Sequence, residues 1–314
     1  MGGAYAANLH LQSNDLGASG RAIYTQLCNE KGGIEADVTI LALGDRAGLF
    51  GRGTSGEGCD AESLELPGAQ QQLLDALLDA GARVVVVLLS GRPYALGSAV
   101  TRAAAIVQTF FPGEEGAPAV AGVLSGRVNP SGRLPVSVPA TPGAQPSTYL
   151  ASTLARASSV SNIDPAAAFP FGAGMGYSTF EWTSSAASAE SIPTDGAVTL
   201  SVTVTNTGYR SGSDVVQLYL HDPVASVVRP VQRLVGFHKV RLDPGESTTL
   251  TVTVPADLAC FSGASGDRIV EPGEIVLGFG RSSGDIPVTH SVMLEGPVRV
   301  VGLDRALHAT WTRE

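Results

Sequence analysis

Two kinds of hydrophobic pattern divide this chain. From Ala36 to about Pro139, continuous apolar runs alternate with segments of helical period. Val38–Leu43 predicts a buried strand, and Leu66–Ala80 a helix with Leu73, Leu74, Leu77 and Leu78 on one stripe. Arg83–Leu89 predicts the next strand, continuous in Val and Leu from Val84, as expected of a strand covered on both faces. A helix at Ala95–Ala104, a strand at Ile106–Phe110, a helix at Glu114–Leu124 and a short strand at Leu134–Val138 complete the alternation. Glu114 and Glu115 are adjacent, so they do not face each other, and they suit a first helical turn. Repeated strand–helix alternation predicts a parallel sheet covered by helices.

From about Val198 the period falls to two. Leu200, Val202 and Val204 alternate with Ser201, Thr203 and Thr205. Val215–Leu220, Leu234–Leu242, Leu250–Val254 and Ile275–Gly278 predict further strands. Gly208, Pro244-Gly245 and Pro272-Gly273 mark turns between them. Short strands at this spacing predict an immunoglobulin-like β-sandwich. The fold class is therefore α/β: a parallel-sheet α/β domain followed by an all-β, immunoglobulin-like sandwich. The expected divisions are an atypical segment 1–35, the α/β domain 36–139, a connecting segment 140–194, the β domain 195–304 and a tail 305–314.

Composition narrows the function. The 314 residues are 44% hydrophobic and carry a formal net charge of -9. An acidic balance argues against nucleic-acid and anionic-membrane partners. No stretch approaches the ~18 apolar residues of a membrane span. The N-terminus has no basic start followed by an apolar core, which is unlike a secretory signal and favours the cytoplasm. Cys28, Cys59 and Cys260 form no C-x-x-C pair, and five scattered histidines offer no ligand spacing. No metal and no cofactor is expected.

The candidate chemistry lies in Gly44–Gln70, a polar, Gly-rich loop between the first strand and the first helix. Such long loops in compact domains are commonly functional. This one leaves the carboxyl end of a strand, where open α/β sheets bind ligands. Glu57 stands between Gly56 and Gly58, and the residues alone leave proton transfer and a solvated loop carboxylate both open. Asp60 could bind a ligand hydroxyl or cap the following turn. Asp45 and Arg46 could line a pocket or pair locally to order the loop. Arg52 reads as solvated, and Glu65 as helix-start electrostatics. Arg92, in Gly91-Arg92-Pro93, reads as a turn whose arginine pairs with an acid. Cys59 has no histidine near it in sequence. Gly172, Gly174 and Gly176 lack the strand–helix context of a nucleotide loop.

Five segments taken together resemble the C-terminal part of glycoside hydrolase family 3. They are Ser55–Gln70, Leu88–Leu96, Phe110–Pro139, Phe169–Trp182 and Arg233–Ser247. The family's common order is a (β/α)8 barrel, an α/β sandwich and a fibronectin type III-like domain; this chain resembles the last two. The resemblance implies a retaining, exo-acting β-glycosidase of β-glucosidase or β-xylosidase type, hydrolysing terminal β-linked sugars. Its partner molecule would be a β-linked oligosaccharide or glycoside. Its two carboxyl groups would stand ~5–5.5 Å apart. Glu57 matches the family's general acid/base, while the nucleophile, an aspartate of the barrel, has no counterpart here. A separate or missing barrel domain is thus implied, with little turnover without it. Ala61 stands where the family often has arginine, which leaves the Asp60 contact open. A non-catalytic carbohydrate-interaction or scaffold fragment is the alternative.

Overall fold

The computed structural model describes residues 36–143, 148–153, 155, 157–162 and 164–314. The expected segment 1–35 and Cys28 lie outside these, as does part of 140–194. The described residues form two compact units, 36–120 with 138–143 and 121–137 with 148–314.

The first unit is built on a parallel three-stranded sheet in the order β1 (Thr39–Gly44), β2 (Val84–Leu89), β3 (Ala105–Gln108). Helix α1 (Gln70–Asp79) buries Leu74, Leu77 and Leu78 against Leu43, Val84, Val86 and Leu88. This is the predicted apolar stripe meeting the predicted central strand, and the α/β expectation holds. Several boundaries differ, each for a local reason. Helix α1 starts at Gln70 rather than Leu66, because Gly68 is left-handed at φ 65° and cannot continue a helix. The helix expected over Ala95–Ala104 shrinks to α2 (Ala99–Arg102). There Tyr94 and Leu96 are spent on the core, and Gly97 is left-handed at φ 53°. Strand β3 stops before Phe110, which has a φ of 54°. Helix α3 (Gly116–Leu124) begins after Glu114 and Glu115, so neither acid lies in its first turn.

The second unit is a sandwich. One sheet has five strands in the order β8 (Arg233–Leu242), β7 (Gly212–His221), β10 (Gly273–Gly280), β11 (Val288–Glu295), β5 (Ser191–Pro193). The other has four, in the order β12 (Thr310–Arg313), β9 (Ser247–Pro255), β6 (Ala197–Asn206), β4 (Phe180–Ala187). All pairings are antiparallel except β5 with β11. The period-two pattern on β6 turns Val198, Leu200, Val202 and Val204 inward, where they meet Val216, Leu218, Leu277 and Phe279 of the facing sheet. Strand β4 falls in the segment expected to connect the two domains; it is half-buried, with Phe180 and Trp182 packed against the sandwich core.

The strand expected at Leu134–Val138 is not continuous. Leu134 exchanges backbone bonds with Ala173 and Gly172 at 2.8 Å each. Nearby, Arg133 reaches Asp214 at 2.9 Å, and the Trp182 indole donates to the same carboxylate at 2.8 Å. Asn129 donates to Ser178 at 2.9 Å and to the Ser211 carbonyl at 3.0 Å. Residues 121–137 thus belong to the second unit. Among the described residues, no helix is long and apolar enough to cross a membrane.

Candidate functional site

The loop after β1 is ordered by the strand ends on either side of it. Gly44 closes β1 at φ 144°, and a Cβ there would lie 1.9 Å from the Leu89 carbonyl oxygen. Its N–H donates to the Gln70 side chain at 2.8 Å, and its carbonyl accepts from the same amide at 2.9 Å. Buried Gln70 therefore pins the end of β1 to the start of α1.

Asp45 comes next, with its side chain 2% exposed. One oxygen accepts the Gly91 N–H at 2.8 Å. The other accepts from Thr54 Oγ1 at 3.0 Å and from the Tyr94 hydroxyl, with Arg92 Nη1 3.5 Å away. Asp45 is thus saturated by internal partners. It does pair with an arginine that orders the loop, but that arginine is Arg92 and not the adjacent Arg46. Burial, and then the bond to Asp45, push the Tyr94 phenol up.

Arg92 is the second anchor. It donates to the Thr54 carbonyl and, at 3.0 Å, to Asp60. Burial alone would lower its pKa, but the bond to Asp60 and the charges of Tyr94 and Asp45 raise it. Asp60 also accepts the Ala61 N–H at 2.8 Å, a bond to the backbone of the next residue. The Ala61 N–H first, and Arg92 second, hold its carboxyl below the usual range. Its side chain remains 94% exposed, so it is still open to a ligand.

Between these anchors, residues 46–59 double back on themselves. Thr54 and Ser55 N–H groups reach the Arg46 carbonyl, Gly48 N–H reaches Ser55, and Phe50 N–H reaches the Glu57 carbonyl at 2.9 Å. Gly56 has φ 131°, and a Cβ on it would lie 1.9 Å from the Gly48 carbonyl oxygen. Only glycine fits that approach, and Gly58 (φ 66°) completes the turn. Glu57 stands at this fold-back. Its side chain is exposed and has no hydrogen bond or ion pair among the described residues. An open hollow of about 870 Å³ in the same loop is lined by Arg46, Ala47, Gly48, Leu49, Phe50 and Arg52, and not by Glu57. Phe50 is 78% exposed and carries a φ of 52°. Bulky residues rarely hold that conformation unless their surroundings impose it.

The expected residues are therefore gathered in one loop system but divide in two. Glu57, Asp60 and Arg46 face solvent, whereas Asp45 is internal. Sequence reasoning missed Thr54, Tyr94, Gln70 and Phe50. The only signal for Phe50 was one aromatic in an otherwise polar loop. Cys59 is buried and forms no disulfide among the described residues. Among the described residues, no group of three His, Cys, Asp or Glu side chains could hold a metal ion.

Known proteins are similar to this chain in both sequence and fold. Residues 29–177 match the glycosyl hydrolase family 3 C-terminal domain, and residues 214–283 a fibronectin type III-like domain. A periplasmic β-glucosidase of Salmonella typhimurium is 36% identical over 259 residues, covering 79% of this chain and 33% of that protein. A β-xylosidase of Formosa agariphila is 36% identical over 251 residues, covering 79% of this chain and 34% of its own length. The chain spans about a third of the length of these curated relatives. Among solved structures, a Listeria innocua β-glucosidase in complex with glucose is similar, with a TM-score of 0.78 and 30% identity. It covers 90% of this chain and 39% of its own. By its matched domains and these relatives, the chain belongs to glycoside hydrolase family 3, carrying that family's C-terminal domain followed by a fibronectin type III-like domain.

Proposed function

We propose that this chain supplies the general acid/base, Glu57, to a retaining exo-acting β-glycosidase of β-glucosidase or β-xylosidase type. The observation that carries the reading is an exposed carboxylate, without a hydrogen bond or ion pair among the described residues, on a tightly bonded fold-back. Gly56 has no room for a side chain, and the Asp45–Arg92–Tyr94 cluster anchors both ends of the fold-back. A free carboxyl group in a fixed frame can protonate a leaving glycosidic oxygen. It can then take a proton from the water that releases the sugar.

In this reading the remaining groups have distinct tasks. Asp60, held by Arg92 yet exposed, accepts a hydrogen bond from a sugar hydroxyl. Arg46 and Arg52 border the hollow, and Phe50 offers its ring face to the leaving sugar. Asp45 positions the loop and does not touch substrate. The nucleophile comes from a barrel domain of the kind that family members carry, so Glu57 alone gives little turnover.

The test is a chimaera in which residues 36–314 replace the matching region of the Salmonella typhimurium β-glucosidase. Hydrolysis of p-nitrophenyl β-glucoside and β-xyloside is measured. Turnover by the chimaera should fall by about 10²–10⁴-fold in Glu57→Gln. An active chimaera indifferent to Glu57→Gln would sink the assignment and favour a carbohydrate-interaction role. The isolated chain should show turnover at least two orders of magnitude lower.

A further inference from the structure

The second unit contains a separate hollow of about 220 Å³ with an unusual charge content. Asp222, Arg229, Arg233, Cys260, Phe261 and Arg268 line it. Arg229 is 11% exposed and pairs with Asp222 at 2.9 Å. It also donates to the Ala259 carbonyl at 3.2 Å and lies 4.4 Å over the Phe261 ring. Its position is therefore fixed.

The other two guanidiniums are differently placed. Arg233 donates to the Leu258 carbonyl, and Arg268 reaches only the Cys260 sulfur, at 4.0 Å. Among the described residues, neither has a carboxylate within ion-pair distance. An arginine has five N–H donors in a planar fork, so most of theirs remain unused.

The balance of charge is positive. Asp222 faces Arg229, and Glu271 adds a second acid close enough to act on both. Three arginines outnumber these two acids. Burial first pushes Arg229 down, with Asp222 opposing and the like charge of Arg233 adding to the push. Burial also pushes the Asp222 carboxyl up. An incoming anion would relieve the repulsion between Arg229 and Arg233.

We propose that this hollow is an oxyanion site, in which Arg233 and Arg268 bind a small ligand bearing a sulfate, phosphate or carboxylate group while Asp222 holds Arg229 in place. Paired arginines suit these groups because their forks match two oxygens at once. The volume lies below the ~300–1,000 Å³ of sites for larger organic ligands, which favours a small anion or a single acidic sugar over an oligosaccharide.

The test uses the full chain. Thermal unfolding of the second unit, followed by Trp182 and Trp311 fluorescence, is measured against sulfate, inorganic phosphate or glucuronate, with sodium chloride holding ionic strength constant. Glucose is the uncharged control for glucuronate. At least one anion should raise the transition saturably, as a ligand of the native state does, and the arm that saturates identifies the source. Arg233→Gln and Arg268→Gln should each weaken that dependence at least ten-fold. As a check independent of variants, the saturating anion should slow phenylglyoxal modification of Arg233 and Arg268 at least five-fold, with exposed Arg241 as reference. No saturable rise with any of the three anions would overturn the proposal. So would wild-type dependence in both variants, or equal modification with and without the anion.

Discussion

Asp45→Ala is the perturbation that best separates a positioning cluster from a substrate contact. The native carboxylate is 2% exposed and accepts from Gly91, Thr54 and Tyr94 beside Arg92. Removing one member of a buried ion pair costs about 3–5 kcal/mol. Arg92 is 24% exposed and keeps Asp60, which places the loss at the low end. The Gly91 N–H and Tyr94 hydroxyl also lose their acceptor, at about 1–3 kcal/mol each if left dry, though water entering the vacated space recovers part of this. These terms share partners and do not add. We expect the first unit to lose about 3 kcal/mol, or about 12–24 °C in its calorimetric midpoint. Asp45→Asn, which keeps one acceptor oxygen, should lose about half as much. Hydrogen exchange over 84–96 should accelerate with the same ordering of variants. Both tryptophans lie in the second unit, so their fluorescence tracks that unit separately. A loss under about 1 kcal/mol in the first unit would refute the positioning role.

Three further outcomes follow from particular groups. His290 lies beside Ser185 at 2.7 Å, and burial lowers its pKa. The unfolded chain therefore binds its proton more readily, so its contribution to stability is complete above about pH 6.5 and declines as pH falls below that; urea melts of the second unit at pH 7.5 and 5.5 should differ accordingly, and less so in His290→Gln. In the active chimaera, Phe50→Ala should raise KM for a disaccharide several-fold more than for a small aryl glycoside, because the ring serves the leaving sugar; equal changes for both would contradict that. Phe279→Ala removes a ring with no exposed surface from the centre of the sandwich and should cost about 3–5 kcal/mol in the tryptophan-monitored urea transition.

How much the sequence disclosed depended on whether a signal was local. The Val84–Leu89 run, the leucine stripe of α1 and the alternation on β6 each carry their own period, and each element formed as expected. Strand β4 did not announce itself, because Phe180–Ala187 is held by pairing with β6 and by Trp182 meeting Asp214. The same holds for Arg133, whose partner is 81 residues away. Within the site, the Gly-Glu-Gly spacing marked a backbone that only glycine can form at Gly56, with Gly58 also at positive φ. Asp45 could equally line a pocket or order the loop by pairing with an arginine, since nothing nearby in sequence reveals that Gly91, Arg92 and Tyr94 converge on it. Those three follow β2, and only the parallel pairing of β1 with β2 brings them alongside. The charge surplus around Arg229 likewise depends on residues from four separate segments.

The central claim is that Glu57 exchanges protons with the glycosidic oxygen and with water, and azide can test both steps. In the active chimaera, Glu57→Ala should retain most of kcat/KM on dinitrophenyl β-glucoside, whose leaving group needs no proton, while kcat falls because the glycosyl-enzyme accumulates; kcat/KM on substrates with poor leaving groups should fall about 10²–10⁴-fold. Added azide, a nucleophile needing no base, should restore release of the trapped sugar and yield β-glucosyl azide. Equal losses on both substrate types, with no glycosyl azide formed, would contradict the account.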